Sequence, residues 1–377
     1  MNFELSEEQA MLRDSVQRFV QGRYDFAEWR AVAASASGMR TENWATYAEM
    51  GWLALPFAEE NGGLGGTALD VNVITEALGA GMTMEPYLAS VLLAGRMVEL
   101  LGNPAQRAAL LPEVAEGRQK LALAYGEVNA RYDLSFVEAT ATAAEMGGSG
   151  DYRITGHKAV VLGAAVADQF VVIARTSGEV TDRDGLSAFL VSASAPGLRL
   201  QTYPLVDGQQ AADLWLSDVP AQLLGAEGQA LSALEQVIDS ASCAICAEAV
   251  GAMQVVLQMT RDYVSTRQQF GRAIGTNQVI EHRLVDMFTA VEEAKALTDI
   301  TTMRLVEDPV AAAPEVAAMK AKVGQAARFV GAQGVQLHGG IGMTDEYPVG
   351  HYFKRLMVLD VLFGDSAHHL GRFADTL

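Results

Sequence analysis

The hydrophobic period of this sequence changes twice, and this feature constrains the fold more than any other. Up to about residue 118, apolar residues recur at helical spacing in segments joined by Gly-rich loops. From about residue 119, short runs rich in Val, Leu and Tyr follow one another without intervening helices. From about residue 228 the helical period returns and persists. The sequence therefore predicts an α+β chain in the order helices, β domain, helices.

This pattern divides the chain into three segments. We expect an N-terminal helical domain over residues 1–118, a middle antiparallel β domain over residues 119–224 and a C-terminal helical domain over residues 225–377. Long helices joined by short turns in the last segment favour a four-helix bundle. One of these helices carries apolar residues on a single face: Ile280, Leu284, Met287, Phe288 and Val291.

The composition narrows the class of protein. The chain has 377 residues, of which 50% are hydrophobic and 19% charged, as is typical of a globular protein. Its formal charge of −19 disfavours nucleic acid and anionic membranes as partners. No long uncharged apolar run or secretory signal is apparent, so neither a membrane span nor export is expected. Ser6 followed by Gln9 predicts a helix capping box instead.

The cysteines and the histidine pair predict neither a redox site nor a metal site. Cys243 and Cys246 form a C-x-x-C inside a strongly apolar helical pattern without basic neighbours, so we interpret them as buried small residues rather than a redox pair. A reducing, cytoplasmic location follows from that interpretation. His368 and His369 are adjacent in a helical segment and point about 100° apart, which predicts a solvated face and no metal site.

Two motifs carry a family resemblance. "RQQFG" (267–271) follows a long helix, and "QLHGGIGMTDEYPVG" (336–350) follows a later one. With this domain order, they resemble the acyl-CoA dehydrogenase family of flavoproteins over essentially the whole chain. Segments such as "CAEAVGAMQ" and "VGHYFKRL" are most similar to the small subunit of pimeloyl-CoA dehydrogenase and related two-subunit enzymes. Enzymes of that branch act on dicarboxylic and steroid side-chain acyl-CoA thioesters.

The resemblance implies an FAD site. In the family, the two motifs hold the ADP half of an FAD that sits mainly in the neighbouring subunit. A guanidinium matches the oxygens of a pyrophosphate, and bare glycines let backbone N–H groups approach phosphate. An alternative is that Arg267 only interacts with the C-terminus of its own helix. Matched residue by residue, the implied FAD contacts are Arg267, Gln269, Phe270, Gln278, Gln336, Gly339 and Gly340.

The resemblance also shows what is missing. The family removes the α proton of an acyl-CoA with a glutamate, and its two positions fall here on Phe363 and Ala241. Neither side chain can accept a proton. Glu248 and Asp365 are weak alternatives as the base; the simpler interpretations are an acid with a local partner for Glu248 and a helix N-cap for Asp365.

The β domain departs from the family as well. The tryptophan and threonine with which the family covers and contacts the flavin ring fall on Val160 and Leu162, on either side of Val161. Of the acidic and polar residues that usually line the flavin and substrate, only Glu127 and Asp133 remain. Apolar replacements would leave polar flavin atoms unpaired.

These losses favour one function over two alternatives. We expect a subunit of an FAD-dependent acyl-CoA dehydrogenase, active in α,β-desaturation and fatty acid β-oxidation, that lacks the base and contributes to FAD binding across a subunit interface. The implied partners are a catalytic sister subunit in an α2β2 assembly, an acyl-CoA substrate and electron-transfer flavoprotein as acceptor. The alternatives are an FAD-free structural subunit and a self-sufficient oxidase or monooxygenase with an unidentified base.

Overall fold

A computed structural model of the protein describes residues 4–144 and 151–376. Helices precede and follow a run of strands, which confirms the predicted α+β order. The α-helices of the described residues are α1 (Glu7–Arg23), α2 (Phe26–Ala33), α3 (Thr41–Glu49), α4 (Ala68–Ala80), α5 (Arg96–Leu101), α6 (Pro104–Ala115), α7 (Ala230–Thr266), α8 (Gln278–Glu307), α9 (Ala313–His338), α10 (Val349–Val361) and α11 (Ser366–Ala374). The strands are β1 (Leu121–Ala124), β2 (Thr140–Ala143), β3 (Asp151–Leu162), β4 (Gln169–Arg175), β5 (Leu186–Ser192), β6 (Leu198–Pro204), β7 (Gln210–Leu224), β8 (Gln268–Gln269) and β9 (Arg272–Ala273).

The described chain forms two compact units. The helical unit comprises Met1–Ala31, Ala68–Thr83 and Ser242–Leu377, and the β unit comprises Val32–Thr67 and Met84–Ala241. The helical residues before position 118 are therefore shared between both units. The three-segment division of the sequence stays a prediction.

The β unit is built on a seven-stranded sheet that closes on itself. The pairs β4–β2, β2–β3, β3–β7, β7–β5 and β5–β4 form a ring, while β1 adds to β4 and β6 to β7. The pairing is antiparallel in the main, as expected, but β1 and β2 run parallel to β4. The strand β2, Thr-Ala-Thr-Ala, was not predicted from the sequence, because it has only four residues and two of them are alanine, which is depleted in strands.

The N-terminal helix of the helical unit begins as its sequence predicts. The Ser6 hydroxyl accepts from the backbone N–H of Gln9, and the Gln9 side chain accepts from the Ser6 N–H, both at 3.1 Å. This confirms the capping box, in which two N–H groups that a helix start would otherwise leave unpaired are satisfied reciprocally.

Glycines fix a close crossing between α4 and α7 in the helical unit. A Cβ on Gly251 would stand 1.9 Å from the carbonyl oxygen of Glu76, and a Cβ on Gly79 would stand 2.2 Å from that of Glu248. Any larger residue would push the two helices apart. The crossing thereby sets the position of Glu248 on α7.

Helix α7 is apolar because it is a core helix. Cys243 and Cys246 are free and buried on it, as predicted, and burial raises the pKa of Cys246 to about 12, which keeps the thiol inert. Within the described residues, α7 is the one helix long and apolar enough to cross a bilayer, and most of its apolar stretch is buried inside the protein.

Candidate functional site

An aromatic residue stands at the tip of a two-residue hairpin in the helical unit. Strands β8 and β9 pair through Gln269 and Arg272, and the turn residues Phe270 and Gly271 have φ of +54° and +80°. Two successive positive φ values are typical of a type I′ turn, whose first position usually holds Asn or Gly. A bulky residue there is strained, and the Phe270 side chain is fully exposed. No packing contact of the described fold explains this placement, which makes the hairpin a candidate binding surface.

The arginine that precedes the hairpin is available to a ligand. The Arg267 backbone N–H donates to the carbonyl of Tyr263 at 2.8 Å, and its own carbonyl accepts from Ile274 at 2.9 Å. These bonds fix its backbone at the end of α7. Its exposed guanidinium has no hydrogen-bond or ion-pair partner in the part of the chain that the structure describes. It therefore does not cap its own helix, as the alternative interpretation required.

The glycine motif forms an open turn at the end of α9. Gly339 has a φ of +66°, and no atom lies within 4 Å of the position that a Cβ on Gly339 or Gly340 would take. Gln336, on the last turn of α9, is exposed, as is Gln278 at the first position of α8. The side-chain amide of Gln269 donates to the Gln268 carbonyl at 2.8 Å. The backbone at Gly339 and Gly340 can thus be approached closely from outside.

A ring stack joins the two motifs. His338, the residue before Gly339, lies with its ring 4.5 Å from that of Tyr263, the residue whose carbonyl holds Arg267. His338 Nδ1 bonds the Gly334 carbonyl at 2.7 Å, and burial lowers the pKa of its imidazole. The fold therefore brings the ends of α7 and α9 together. The sequence prediction missed His338, although it lies inside the glycine motif.

Both base positions predicted from the resemblance are without acid–base chemistry. Ala241 is buried in the β unit, and Phe363 lies between α10 and α11 in the helical unit with a φ of +61°. Three contacts hold the backbone around Phe363. His369 Nε2 donates to the Phe363 carbonyl at 3.1 Å, and the buried Lys320 ammonium donates to the carbonyls of Gly364 at 3.0 Å and Asp360 at 2.7 Å. The turn is firmly built around a residue that cannot take a proton.

The two alternative acids both have structural partners. Asp365 is the N-cap of α11 and accepts from the backbone N–H of His368 at 2.9 Å; this bond, ahead of other causes, lowers the pKa of its carboxyl. Glu248 accepts from Arg355 Nε at 2.7 Å in a largely buried ion pair. A general base at neutral pH needs a raised pKa, whereas the pKa of the Asp365 carboxyl is lowered, and the Glu248 carboxylate is already engaged by Arg355.

The prediction that His368 and His369 lie on a solvated face is wrong for His369. His369 is buried and bonds the Phe363 carbonyl, while His368 is partly exposed. The α11 helix turns His369 toward α9, where Lys320 and Gly364 surround it. No group of His, Cys, Asp and Glu among the described residues could hold a metal ion.

In the β unit, the positions that the resemblance matches to flavin and substrate contacts are engaged by hydrogen bonds within the chain. Val160 has a φ of +55° in a bulge of β3, and its N–H donates to Asp213 Oδ1 at 3.2 Å. Glu127 accepts from the buried Lys158 ammonium at 2.6 Å and from the N–H groups of Glu138 at 2.7 Å and Ala139 at 3.1 Å. Burial lowers the pKa of Lys158, while the Glu127 carboxylate opposes that effect.

Asp133 has a local role too. Its carboxylate accepts from the backbone N–H of Ser135 at 2.9 Å and from the Ser135 hydroxyl at 2.6 Å. The two acids that remain from the family pattern, Glu127 and Asp133, are therefore already used inside the β unit.

Comparison with known proteins decides the family. Models of the acyl-CoA dehydrogenase N-terminal, middle and C-terminal domains match residues 6–118, 122–219 and 231–377. The chain belongs to the acyl-CoA dehydrogenase family. It is similar to acryloyl-CoA reductase (NADH) of Anaerotignum propionicum, with 28% identity over 98% of this chain and 94% of that protein. It is also similar to acyl-CoA dehydrogenase IpdE2 of Mycobacterium tuberculosis, with 29% identity over 93% of this chain and 91% of that protein.

Solved structures of this family include assemblies of two different chains. A chain of the ChsE4-ChsE5 complex from Mycobacterium tuberculosis matches with a TM-score of 0.88 and 26% identity over 100% of this chain and 98% of that one. A chain of the Tcur3481-Tcur3483 steroid ACAD matches with a TM-score of 0.87 and 28% identity over 98% of this chain and 97% of that one.

The acyl-CoA dehydrogenases are FAD-dependent oxidoreductases, so the residues can be tested for fit to FAD. The exposed arginine, the exposed aromatic ring and the open glycine backbone of the helical unit suit an adenosine diphosphate group approaching from outside. The β unit does not suit a flavin ring. Val160 and Leu162 offer neither an aromatic lid nor a hydroxyl, and the Val160 N–H is already bonded to Asp213. Among the described residues, the groups present fit the ADP half of FAD, whereas the two positions that the resemblance matches to flavin-ring contacts do not fit the ring.

Proposed function

We propose that this chain is the subunit of a heteromeric acyl-CoA dehydrogenase that lacks the catalytic base and grips, across the subunit interface, an FAD seated mainly in a sister chain. One observation carries the proposal. The positions that the resemblance assigns to the base hold Phe363 and Ala241, while the guanidinium of Arg267 is exposed without a partner in the described chain and Phe270 is exposed in a strained backbone conformation. These exposed groups suit a cofactor that reaches in from a companion chain.

Each type of residue would contact a different part of the ADP group. The Arg267 fork would bind pyrophosphate oxygens, the Phe270 ring would pack on adenine, and the N–H groups at Gly339 and Gly340 would donate to phosphate. Bound FAD supplies the hydride acceptor for α,β-desaturation of an acyl-CoA. This chain holds the ADP half in place, and the α proton must leave to a carboxylate on the sister chain, since neither Phe363 nor Ala241 can accept it.

The assembly we propose is an α2β2 tetramer in the cytoplasm with one FAD per pair of unlike chains. Its substrate would be an acyl-CoA thioester of the dicarboxylyl or steroid side-chain class, and its acceptor electron-transfer flavoprotein. Two solved relatives, ChsE4-ChsE5 and Tcur3481-Tcur3483, are each named after two polypeptides, and the second is called a steroid enzyme. These likenesses support the proposal by analogy of family.

Co-expression tests the proposal. The chain is purified alone and together with a candidate sister acyl-CoA dehydrogenase chain that carries the catalytic glutamate, and flavin per chain and acyl-CoA oxidation are measured. We expect the single chain to be folded, nearly colourless and inactive, and the pair to hold one FAD and turn over. A complex that forms without flavin would support a structural subunit instead. A homo-oligomer with one FAD per chain and turnover would establish the self-sufficient enzyme and overturn the proposal.

A further inference from the structure

A second guanidinium lies close to the glycine motif, on α8. Arg283 is partly buried, and its terminal nitrogen Nη1 donates to Gln333 Oε1 on α9 at 3.3 Å. Within the part of the chain that the structure describes, Arg283 forms no ion pair. An amide oxygen orients a guanidinium but does not neutralise its charge, and it leaves most of the five N–H donors available. Arg283 can therefore bind an anion from outside the chain.

Two contacts show how α8 and α9 are aligned. Arg283 of α8 meets Gln333 of α9, and further along, Glu293 of α8 pairs with Lys322 of α9 at 2.6 Å. The helices are antiparallel, because the residue numbers rise along α8 as they fall along α9. Arg283 lies about 7.5 Å from the first residue of α8, and Gln333 lies about 7.5 Å from the last residue of α9. The start of α8 is therefore beside the end of α9.

The end of α9 carries three of the residues expected to contact FAD: Gln336, Gly339 and Gly340. Gln333 and Gln336 are three residues apart and share a face of the helix, where Cβ atoms so spaced are about 5–6 Å apart. Gly339 follows the last residue of α9 as its C-cap. Arg283, held by Gln333, thus reaches this end of α9 from the α8 side.

Arg267 approaches the same end of α9 from another helix. Tyr263 on α7, whose carbonyl accepts from the Arg267 N–H, stacks on His338, the last residue of α9. Two guanidinium groups, one at the end of α7 and one on α8, therefore stand on two sides of the open glycine turn. Neither has an acidic partner among the residues that the structure describes.

Two arginines suit the charge of a pyrophosphate. This group carries two negative charges at neutral pH, and a guanidinium binds phosphate oxygens through parallel N–H···O bonds. The chain as a whole has a formal charge of −19, which repels an anion. A second arginine beside the glycine turn offsets this repulsion where the anion binds.

We propose that Arg283, oriented by Gln333, is a second arginine that binds the pyrophosphate of the ADP half of FAD. The inference rests on the proposed function, because it needs an FAD that a sister chain presents to this surface. It adds to that function a contact that neither of the two family motifs contains.

The test measures FAD binding to the deflavinated complex of this chain with its sister chain by fluorescence titration. Arg283→Met keeps an apolar stem and removes the charge, so it should raise the dissociation constant about tenfold. The loss should shrink at high ionic strength, since salt screens charges at the surface. Competition by ADP should weaken by the same factor, because ADP carries the pyrophosphate without the flavin. Arg283→Lys, which keeps the charge but lacks the planar fork, should fall between the parent and Arg283→Met.

Lys322→Met is the matched control. It removes a cation from the same pair of helices, but about 16 Å from Gln333 along α9 and away from the glycine turn. It should leave the affinities for FAD and ADP unchanged. Thermal unfolding followed by circular dichroism checks that every variant is folded.

A double-mutant cycle tests the role of Gln333. Gln333→Leu removes the oxygen that orients the guanidinium, so it should weaken FAD binding about threefold in the parent. It should have no further effect when combined with Arg283→Met, because the group that it orients is then gone. Additive losses would show that Gln333 acts by itself, which contradicts its orienting role.

The outcomes separate this contact from the proposed function. If Arg283→Met binds FAD as tightly as the parent while Arg267→Ala loses affinity, the contact is overturned and the function stands. Equal losses in Arg283→Met and Lys322→Met overturn the contact as well, since the effect would then be one of net charge. A parent complex that holds no FAD overturns both.

Discussion

Arg355 and Glu248 form a largely buried ion pair between α10 and α7. The guanidinium Nε donates to Glu248 Oε1 at 2.7 Å, and a terminal nitrogen lies 2.6 Å from the same oxygen. The side chains are only 9% and 13% exposed, so each charge depends on the other. Removing one partner of such a pair leaves a buried charge uncompensated.

We therefore predict that Glu248→Ala destabilises the protein by about 3 kcal/mol, whereas Glu248→Ala combined with Arg355→Met recovers much of the loss. The free energy of unfolding in urea measures both effects. In the assembled enzyme, turnover should follow the amount of folded protein. A fully stable Glu248→Ala variant without turnover would contradict this role and make Glu248 the missing base.

Asp365 gives a second prediction through its capping bond to the His368 N–H. Asp365→Ala should cost about 1 kcal/mol, because it leaves an N–H at the start of α11 unpaired, and Asp365→Asn should cost only a few tenths. Both variants should keep turnover in the assembled enzyme. Loss of turnover in Asp365→Asn, which keeps the cap and removes the charge, would identify a base instead.

Stability should fall as the pH decreases below about 6.5. Burial lowers the pKa of His369 to about 3, so the folded chain keeps this imidazole neutral while the unfolded chain protonates it. A group with a depressed folded pKa contributes stability above its unfolded pKa and loses it as the pH falls toward the folded one. Each such histidine contributes a slope of up to about 1.4 kcal/mol per pH unit in that window. His338 and His368 are shifted in the same direction, again by burial.

His369→Gln isolates this contribution, since its amide can still donate to the Phe363 carbonyl but does not titrate in this range. Urea unfolding at about pH 7.5 and pH 5 should show a smaller pH dependence for the variant than for the parent. Equal slopes for the two proteins would mean that His369 is not buried neutral.

The fold was predictable from sequence because its signals are local. Helical spacing, the Ser6–Gln9 capping box and the change of period near residue 119 all lie within one element or turn. The hairpin at Phe270 could also be located, since an aromatic residue and glycines in an acidic chain stand out. Very short elements, such as the four-residue strand β2, carry weaker signals and were missed.

The hydrogen bonds that hold the backbone of the candidate site could not be predicted, since they join residues far apart in the chain. Lys320 reaches the Gly364 carbonyl across 44 positions, and Lys158 reaches Glu127 across 31. A lysine in an apolar helical pattern gives no sign of whether it points to solvent or holds a turn. Only the packing of α9 against the segment after α10 reveals that Lys320 fixes the backbone at Phe363.

The contacts that Lys320 and His369 make around Phe363 matter for the variant Phe363→Glu. This substitution restores the family's glutamate at one of the two base positions that the resemblance gives. The turn is held by Lys320 and His369, so we expect the variant to fold. We also expect the variant chain alone to show no acyl-CoA oxidation, because a carboxylate needs a positioned substrate and cofactor, and Val160 and Leu162 offer no seat for a flavin ring. Steady-state assays of the purified variant, with added FAD, check this. Measurable oxidation by the single chain would mean that its active site is otherwise intact.

The last prediction concerns Arg267, whose guanidinium is exposed and unpartnered within the described chain. A charge-assisted contact to pyrophosphate contributes on the order of 1.5–3 kcal/mol, so Arg267→Ala should weaken FAD binding to the assembled complex about tenfold or more. Arg267→Lys should recover only part of it, since an ammonium lacks the planar fork. Arg304→Ala, at the far end of α8 where the arginine pairs with Glu307, is the matched control and should leave FAD affinity unchanged.

Fluorescence titration of the deflavinated complex with FAD gives the dissociation constants. If Arg267→Ala and Arg304→Ala bind FAD as tightly as the parent, Arg267 does not reach the cofactor, and the exposed Phe270 hairpin must serve a contact between the protein chains themselves.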